Sequence, residues 1–135
     1  MYGLVNKAIE ELVCSRFGEE HFESIKEKAG VDVDAFMCME QYPDEITYRL
    51  VGAASDVLGI PPEDILKSFG EYWVLYTAHA GYGDLLKMAG RTLPEVLESL
   101  DNLHTRVSLA FPHLQPPSFW CTEMTSNSLT LHYRS

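Results

Sequence analysis

One histidine lies on a predicted helix face where its ring needs either a hydrogen-bond partner or a metal. His104 lies in a segment whose pattern predicts a helix, and the spacing places five residues on one helix face: Leu97, Leu100, His104, Val107 and Phe111. An imidazole among apolar side chains needs a partner, because an unsatisfied ring nitrogen in such a place is costly. One explanation is a hydrogen bond to a nearby carbonyl or carboxylate, and this is the common case for inward-facing histidines. The other is a metal, and without further protein ligands haem iron suits a single imidazole.

Asp101 is the second residue of this segment with possible chemistry. It precedes His104 by three residues, so a helix would bring it close enough to orient a ring nitrogen of His104. Alternatively, Asp101 is simply an acid on the solvated face of the helix. The sequence has no glycine-rich phosphate loop, no Ser/His/Asp arrangement for nucleophilic attack and no paired carboxylates typical of hydrolysis. We therefore do not expect an enzyme.

The elements that must position His104 are mainly helical. Apolar stripes predict helices over residues 4–17, 22–29, 44–58 and 62–79, with glycines after the first three. Gly81 and Gly83 are expected to break the pattern, and a short helix is expected to follow over residues 85–89. Thr92 and Glu95 have the spacing of a capping box, which predicts the start of the helix that carries His104.

The character of the chain changes after residue 111. Prolines at 112, 116 and 117 forbid a continuing helix. Residues 118–124 and 128–133 are expected to form strands, because apolar and polar residues alternate in the second and a turn-forming segment separates the two. The prediction is one α+β domain over residues 1–135, helical over 1–111 and with the start of a small antiparallel sheet over 112–135.

Bulk composition excludes several classes of function. The chain has 135 residues, 46% of them hydrophobic, with 20 acids against 10 bases and a formal net charge of −10. Such a charge disfavours binding to nucleic acids and to anionic membrane surfaces. Neither a membrane-spanning run nor a signal-peptide core is present in the sequence, so we expect a cytoplasmic protein. Three widely spaced cysteines make neither a disulfide framework nor a covalent haem motif.

Several motifs, in order, resemble the haem–nitric oxide/oxygen binding (H-NOX) domain, which is related to the haem domain of soluble guanylate cyclase. The similarity covers residues 1–135 and looks greatest to cyanobacterial members. The segments that carry it are Met1-Tyr2-Gly3-Leu4-Val5-Asn6, Gly52-Ala53-Ala54-Ser55, Phe69-Gly70-Glu71-Tyr72-Trp73, Leu100-Asp101-Asn102-Leu103-His104 and Leu131-His132-Tyr133-Arg134-Ser135.

The resemblance implies a haem b cofactor between the helical and sheet parts, with His104 as the proximal ligand of the iron. Pro117 matches a proline that presses on the haem face. Tyr133 and Ser135 match the first two members of a Tyr-x-Ser-x-Arg motif that holds the haem propionates. The arginine of that motif would lie two residues beyond Ser135, so we expect a C-terminally truncated domain.

The resemblance also implies a distal pocket and a function. Trp73, Val74, Val5 and Ile9 match positions that line the gas-binding side of the haem. The implied function is sensing a diatomic gas, with nitric oxide first and CO or O₂ as further ligands. Gas binding would release the bond between His104 and the iron, and a partner such as a histidine kinase or a cyclase would detect the change.

Two other functions fit parts of the sequence. The chain would be a haem-poor module for protein interaction if its helices bind a partner without retaining the cofactor. It would be an oxygen-storage protein if the haem only held O₂, but a globin-like fold does not end in a pair of alternating strands. The ratio of haem to protein separates the sensor from the interaction module.

Overall fold

The computed structural model describes residues 1–134, and these divide into two compact units, one over Met1–Thr77 and one that begins at Ala78. The first unit contains four α-helices and a π-helical turn: α1 (Gly3–Phe17), α2 (Glu19–Ala29), α3 (Asp44–Leu58), α4 (Pro62–Tyr72) and the π-helix Trp73–Thr77. The second unit contains α5 (Ala78–Ala89), α6 (Leu93–Ser108), β1 (Ser118–Thr122) and β2 (Thr130–Arg134).

Glycines end three helices of the first unit, as the sequence predicts. Gly30 and Gly59 follow α2 and α3 in the left-handed conformation, with φ of 61° and 65°. Gly18 separates α1 from α2 with a φ of 94°. Because side chains other than glycine rarely adopt these angles, local sequence sets the helix ends here.

The first unit has a closed core. Helix α3 packs on α2 and α4, and α1 packs on α2 and α4. Ile25 and Leu50 are fully buried at the centre of this core, with Phe22 beside them. One polar pair is buried as well, and in it the Thr47 hydroxyl donates to Oδ1 of Asn6 at 2.6 Å.

The π-helix and the helix after it differ from the sequence prediction. A single α-helix was expected to reach His79, but the backbone adopts π-helical geometry from Trp73 to Thr77. The break expected between the two glycines is present, because Tyr82 has a non-helical backbone with φ of −137° and ψ of 21°. The break is a kink within α5, which begins at Ala78, before the glycines, and continues to Ala89.

The capping box of α6 forms as predicted. Glu95 accepts hydrogen bonds from the backbone N–H groups of Arg91 at 2.7 Å and Thr92 at 3.0 Å. Helix α6 packs against both α5 and β1, and the Ser99 hydroxyl donates to the Ala89 carbonyl. The helix ends at Ser108, so Phe111 does not continue its apolar face but lies buried in the turn that follows.

The two strands form an antiparallel pair. Phe119 lies opposite Tyr133, and Trp120 lies opposite His132. Both strands are shorter than predicted at the connecting turn, because Thr125 and Ser128 form a compact hydrogen-bonded loop there. The α+β class is confirmed.

Candidate functional site

The His104 ring is held in one orientation by its own helix. Nδ1 lies 2.7 Å from the Leu100 carbonyl oxygen, which only accepts, so Nδ1 must carry the proton. A neutral imidazole with a proton on Nδ1 has its lone pair on Nε2. Within residues 1–134, Nε2 has no hydrogen-bond partner. The two explanations for His104 are therefore compatible, because the carbonyl uses one nitrogen and leaves the other available to bind a metal.

Aromatic rings continue from His104 into the sheet. The Phe119 ring lies 4.8 Å from the His104 ring, with an angle of 38° between their planes. Tyr133 follows on the opposite strand, 5.4 Å from Phe119. Sequence reasoning missed Phe119, although its alternation with Cys121 indicates that the two share one face of the hairpin.

Asp101 binds a different partner from the one expected. Its Oδ1 accepts a hydrogen bond from the backbone N–H of Phe119 at 3.1 Å, while His104 uses the Leu100 carbonyl. Of the two interpretations of Asp101, the contact with His104 is wrong, because the Leu100 carbonyl already accepts the hydrogen bond from Nδ1, while the exposed position of Asp101 fits the other interpretation. Asp101 instead joins α6 to β1, next to the ring that contacts His104.

The structure places the other predicted residues of the second unit near the strands. Pro117 is half-buried and directly precedes β1. Tyr133 is 61% exposed, so its hydroxyl is accessible to a ligand. Ser135 lies outside the described residues.

Of the four predicted residues of the first unit, the structure connects two, Trp73 and Ile9. Trp73 packs on Phe69 with ring centroids 5.7 Å apart, and Phe69 and Ile9 line the same cavity of about 100 Å³. Trp73 and Ile9 are thus connected through Phe69. Val5 is half-buried, whereas Val74 is 60% exposed on the π-helix.

One hydroxyl in the π-helix has no partner. Thr77 Oγ1 is buried, and among residues 1–134 it makes no hydrogen bond. Trp73 and Thr77 begin and end the π-helix, and both are half-buried, whereas Val74, Leu75 and Tyr76 between them are exposed. The sequence gives no indication that the Thr77 hydroxyl is unpaired.

The described part of the chain lacks two further features, a cluster of metal ligands and a membrane-spanning helix. There, no group of three or more His, Cys, Asp or Glu side chains is arranged to hold a metal ion. Over the same residues, no helix is both long enough and apolar enough to cross a membrane. Burial raises the pKa of the Cys14 thiol, with Glu10 and Glu19 adding to the effect, so its reactive thiolate is disfavoured.

Solved structures share this fold. The unliganded Fe(II) H-NOX protein from K. algicida superposes with a TM-score of 0.85 at 24% identity, over 100% of this chain and 73% of that one. The H-NOX protein from S. oneidensis in the Fe(II)NO state gives 0.85 at 17% identity, over 100% and 74%. The α+β architecture is thus that of the H-NOX proteins.

The family itself follows from the sequence comparison. The chain belongs to the family described as "Haem-NO-binding", whose model matches residues 2–135. Members of this family are haem-binding domains for gas sensing, and the domain is a sensor rather than a catalyst, as the sequence predicts.

Curated relatives are much longer proteins. Soluble guanylate cyclase gcy-31 of Caenorhabditis elegans is 33% identical over 135 residues, and soluble guanylate cyclase 89Db of Drosophila melanogaster is 24% identical over 135 residues. Each alignment covers all of this chain, but the chain spans only 19% of the first relative and 20% of the second.

Proposed function

We propose that this domain binds haem b through Nε2 of His104 and senses a diatomic gas, with nitric oxide as the main ligand. The single observation that carries the proposal is the His104 ring, whose Nδ1 is bound to the Leu100 carbonyl and whose Nε2 is free within residues 1–134. A metal-ligating histidine commonly donates its second ring N–H to a carbonyl, which fixes the ring and makes it a stronger ligand.

Apolar side chains around His104 support a flat, apolar cofactor. Leu97, Leu100 and Val107 share its helix face and are all half-buried. Phe111 is the only buried large hydrophobic residue in the described part of the second unit. A porphyrin suits such a surface, because it offers a large apolar area and four nitrogen ligands, so that the protein needs to supply only an axial one.

The residues that would hold the cofactor differ in chemistry. Pro117, directly before β1, would contact the porphyrin, and the accessible hydroxyl of Tyr133 would donate to a propionate. Ser135 is proposed as a second donor from the family motif alone. In the first unit we assign Trp73, Val74, Val5 and Ile9 to the gas side, where a mainly apolar lining favours NO over O₂.

The protein residues also suggest how a signal would leave the site. Bound haem iron supplies a coordination position for NO, CO or O₂. Release of His104 from the iron would free a ring that is tied to the α6 backbone at Leu100, and Asp101 ties the same helix to β1. We infer that a cytoplasmic partner such as a histidine kinase or a cyclase responds to this change.

The test replaces the proposed ligand. His104→Gly should lose the haem absorption band, and free imidazole should restore it by filling the space of the missing ring. His79→Ala is the matched control, since His79 is an exposed histidine on α5 and should keep full haem loading. Unchanged haem loading of His104→Gly without imidazole would contradict the ligand assignment.

The same preparation separates the sensor from a haem-poor interaction module. About one haem per chain in the unsubstituted protein supports the sensor, and a ratio near zero supports the module. If haem is bound, a stable O₂ complex in air would contradict selectivity for NO.

A further inference from the structure

An apolar cavity in the first unit has the properties of a ligand site. It is the cavity of about 100 Å³ that Ile9 and Phe69 line, and its other lining residues lie on α1, α3 and α4 and in the turn after α3. We infer that it binds a short straight-chain monocarboxylate, with the alkyl tail inside and the carboxylate on Arg16 and Ser68. The inference goes beyond the proposed function, because all the lining residues belong to the first unit and His104 is not among them.

The interior of the cavity suits an alkyl chain. Twelve residues line it, and all of them except Arg16 and Ser68 are apolar. Leu12, Val13 and Ala54 are buried, so the cavity reaches the core. The atoms around an empty cavity lose packing contacts, which a ligand would restore. Since an apolar cavity of about 150 Å³ holds benzene, one of this size accommodates about four carbon atoms.

The two polar residues of the lining are not used within the protein. The Arg16 guanidinium, in the last turn of α1, forms no ion pair within residues 1–134. The Ser68 hydroxyl makes no hydrogen bond over the same residues, whereas the Ser15 and Ser55 hydroxyls donate to carbonyls. A guanidinium presents paired N–H donors that match a carboxylate, and a hydroxyl adds a further donor. These residues therefore favour an anionic group at the end of an apolar chain.

Part of the cavity wall is already ordered. Ile60 lines the cavity and follows Gly59, which ends α3 in the left-handed conformation. The Ile60 N–H donates to the Ser55 carbonyl at 3.2 Å, and the Ile60 carbonyl accepts from the Ser55 hydroxyl at 2.6 Å. A wall that is fixed before binding reduces the entropy that the ligand must overcome.

The charge of the first unit limits the ligand to a single negative charge. Residues 1–77 contain 15 acids and 6 bases, which repel anions. At physiological salt this repulsion is screened beyond about 8 Å, whereas a carboxylate in contact with Arg16 keeps most of its attraction. A monocarboxylate meets less repulsion than a dicarboxylate or a phosphate, and it is therefore the class that this cavity fits.

The first experiment compares ligands on the full chain by titration calorimetry. From propanoate to hexanoate, affinity should rise about fourfold for each added methylene, because each is buried in the cavity. Hexan-1-ol and hexylamine carry the same tail without the negative charge, and each should bind about tenfold more weakly than hexanoate. An affinity that does not depend on chain length, or tighter binding of the alcohol or the amine, would overturn the inference.

The second experiment compares variants with hexanoate as the probe. Arg16→Gln should weaken binding about tenfold, because it removes the charge and keeps a polar side chain of similar reach. Lys67→Gln is the matched control, since Lys67 is an exposed cation of α4 that does not line the cavity. Val51→Phe should abolish binding by filling the cavity from a half-buried position. Unchanged affinity in Arg16→Gln, or an equal loss in Lys67→Gln, would contradict the assignment.

The outcomes separate this site from the proposed haem site. His104→Gly should keep its affinity for hexanoate, and hexanoate should leave any haem absorption band of the unsubstituted chain where it is. If no haem band is found but hexanoate binds as described, only the proposed function fails. If haem is bound but hexanoate is not, only this inference fails. A haem band that moves on addition of hexanoate would also overturn it, because the carboxylate would then be binding at the haem.

Discussion

The two units of this protein bury their apolar residues to very different extents. In the first, Ile25, Leu50 and Ala54 are completely covered by protein, and Phe22 nearly so. In the described part of the second, Phe111 alone among the hydrophobic residues is buried. A helix that carries an apolar face normally covers it with another element. The first unit therefore covers its apolar residues with its own elements, whereas the apolar face of α6 in the second unit is only half-buried.

Most of the excess negative charge of the chain also lies in the first unit. Residues 1–77 contain 15 acids and 6 bases, whereas residues 78–135 contain 5 acids and 4 bases. The repulsion that disfavours anionic partners therefore originates mostly in the first unit. The nearly neutral second unit is the better place for a cofactor that brings two negative propionates.

The largest expected effect is on the closed core. Leu50→Ala should cost about 3 kcal/mol of unfolding free energy, because Leu50 is fully buried and its removal leaves a cavity. Leu97→Ala, in the half-buried face of α6, should cost clearly less in the haem-free chain. Urea unfolding measures both. Equal costs would mean that the second unit is as closed as the first.

A smaller effect is expected where α6 meets the sheet. Asp101→Ala removes the acceptor for the Phe119 N–H and should cost about 1 kcal/mol, since the bond is charge-assisted but exposed to water. Glu98→Ala removes an exposed acid from the same helix and serves as the control. If both variants unfold at the same urea concentration, Asp101 does not hold β1.

The smallest effect is a difference in pH dependence between two glutamates. Hydrogen bonds from the Arg91 and Thr92 backbone lower the pKa of Glu95, whereas desolvation by burial raises the pKa of Glu10. Because the folded pKa of Glu95 is lowered, its carboxylate stabilises the folded state at pH values above the unfolded pKa of 4.5. This stability is lost as the pH falls through the folded pKa. Because the folded pKa of Glu10 is raised, its contribution to stability is fully present at pH values below 4.5. That contribution is lost as the pH rises through the folded pKa.

The two variants should therefore shift stability in opposite directions at neutral pH. Glu95→Gln should lower the thermal midpoint at about pH 7, and this effect should diminish as the pH falls through the lowered folded pKa of Glu95. Glu10→Gln should raise the midpoint at about pH 7 and have little effect at about pH 3. Thermal scans across this range check both, and shifts of the same sign would contradict the assignment.

Local signals in the sequence predict most helix ends correctly. Gly30 and Gly59 require a left-handed backbone, and Thr92 with Glu95 satisfies the first N–H groups of α6. Such features depend on residues a few positions apart, so they can be recognised without knowledge of the fold. The alternation in the second strand likewise predicts a hairpin, although not its exact ends.

Features that depend on distant contacts were not predictable. The π-helix at Trp73–Thr77 has no local signature in its five residues. The partner of Asp101 lies 18 residues away on a strand, and only the packing of α6 on β1 brings the two together. The role of Phe119 beside His104 has the same origin. The single-domain boundary over residues 1–135 and the cofactor-binding roles of the predicted site residues, Ser135 included, stay predictions.

The bond between His104 and Leu100 has a mechanical consequence. Because Nδ1 is fastened to a carbonyl of the same helix, the ring cannot swivel about its own side-chain bonds without breaking that hydrogen bond. Force applied to the ring is thus transmitted to the backbone one turn nearer the start of α6. A movement of the imidazole therefore moves α6 with it. The hydrogen bond from the Phe119 amide to Asp101 passes that movement on to β1.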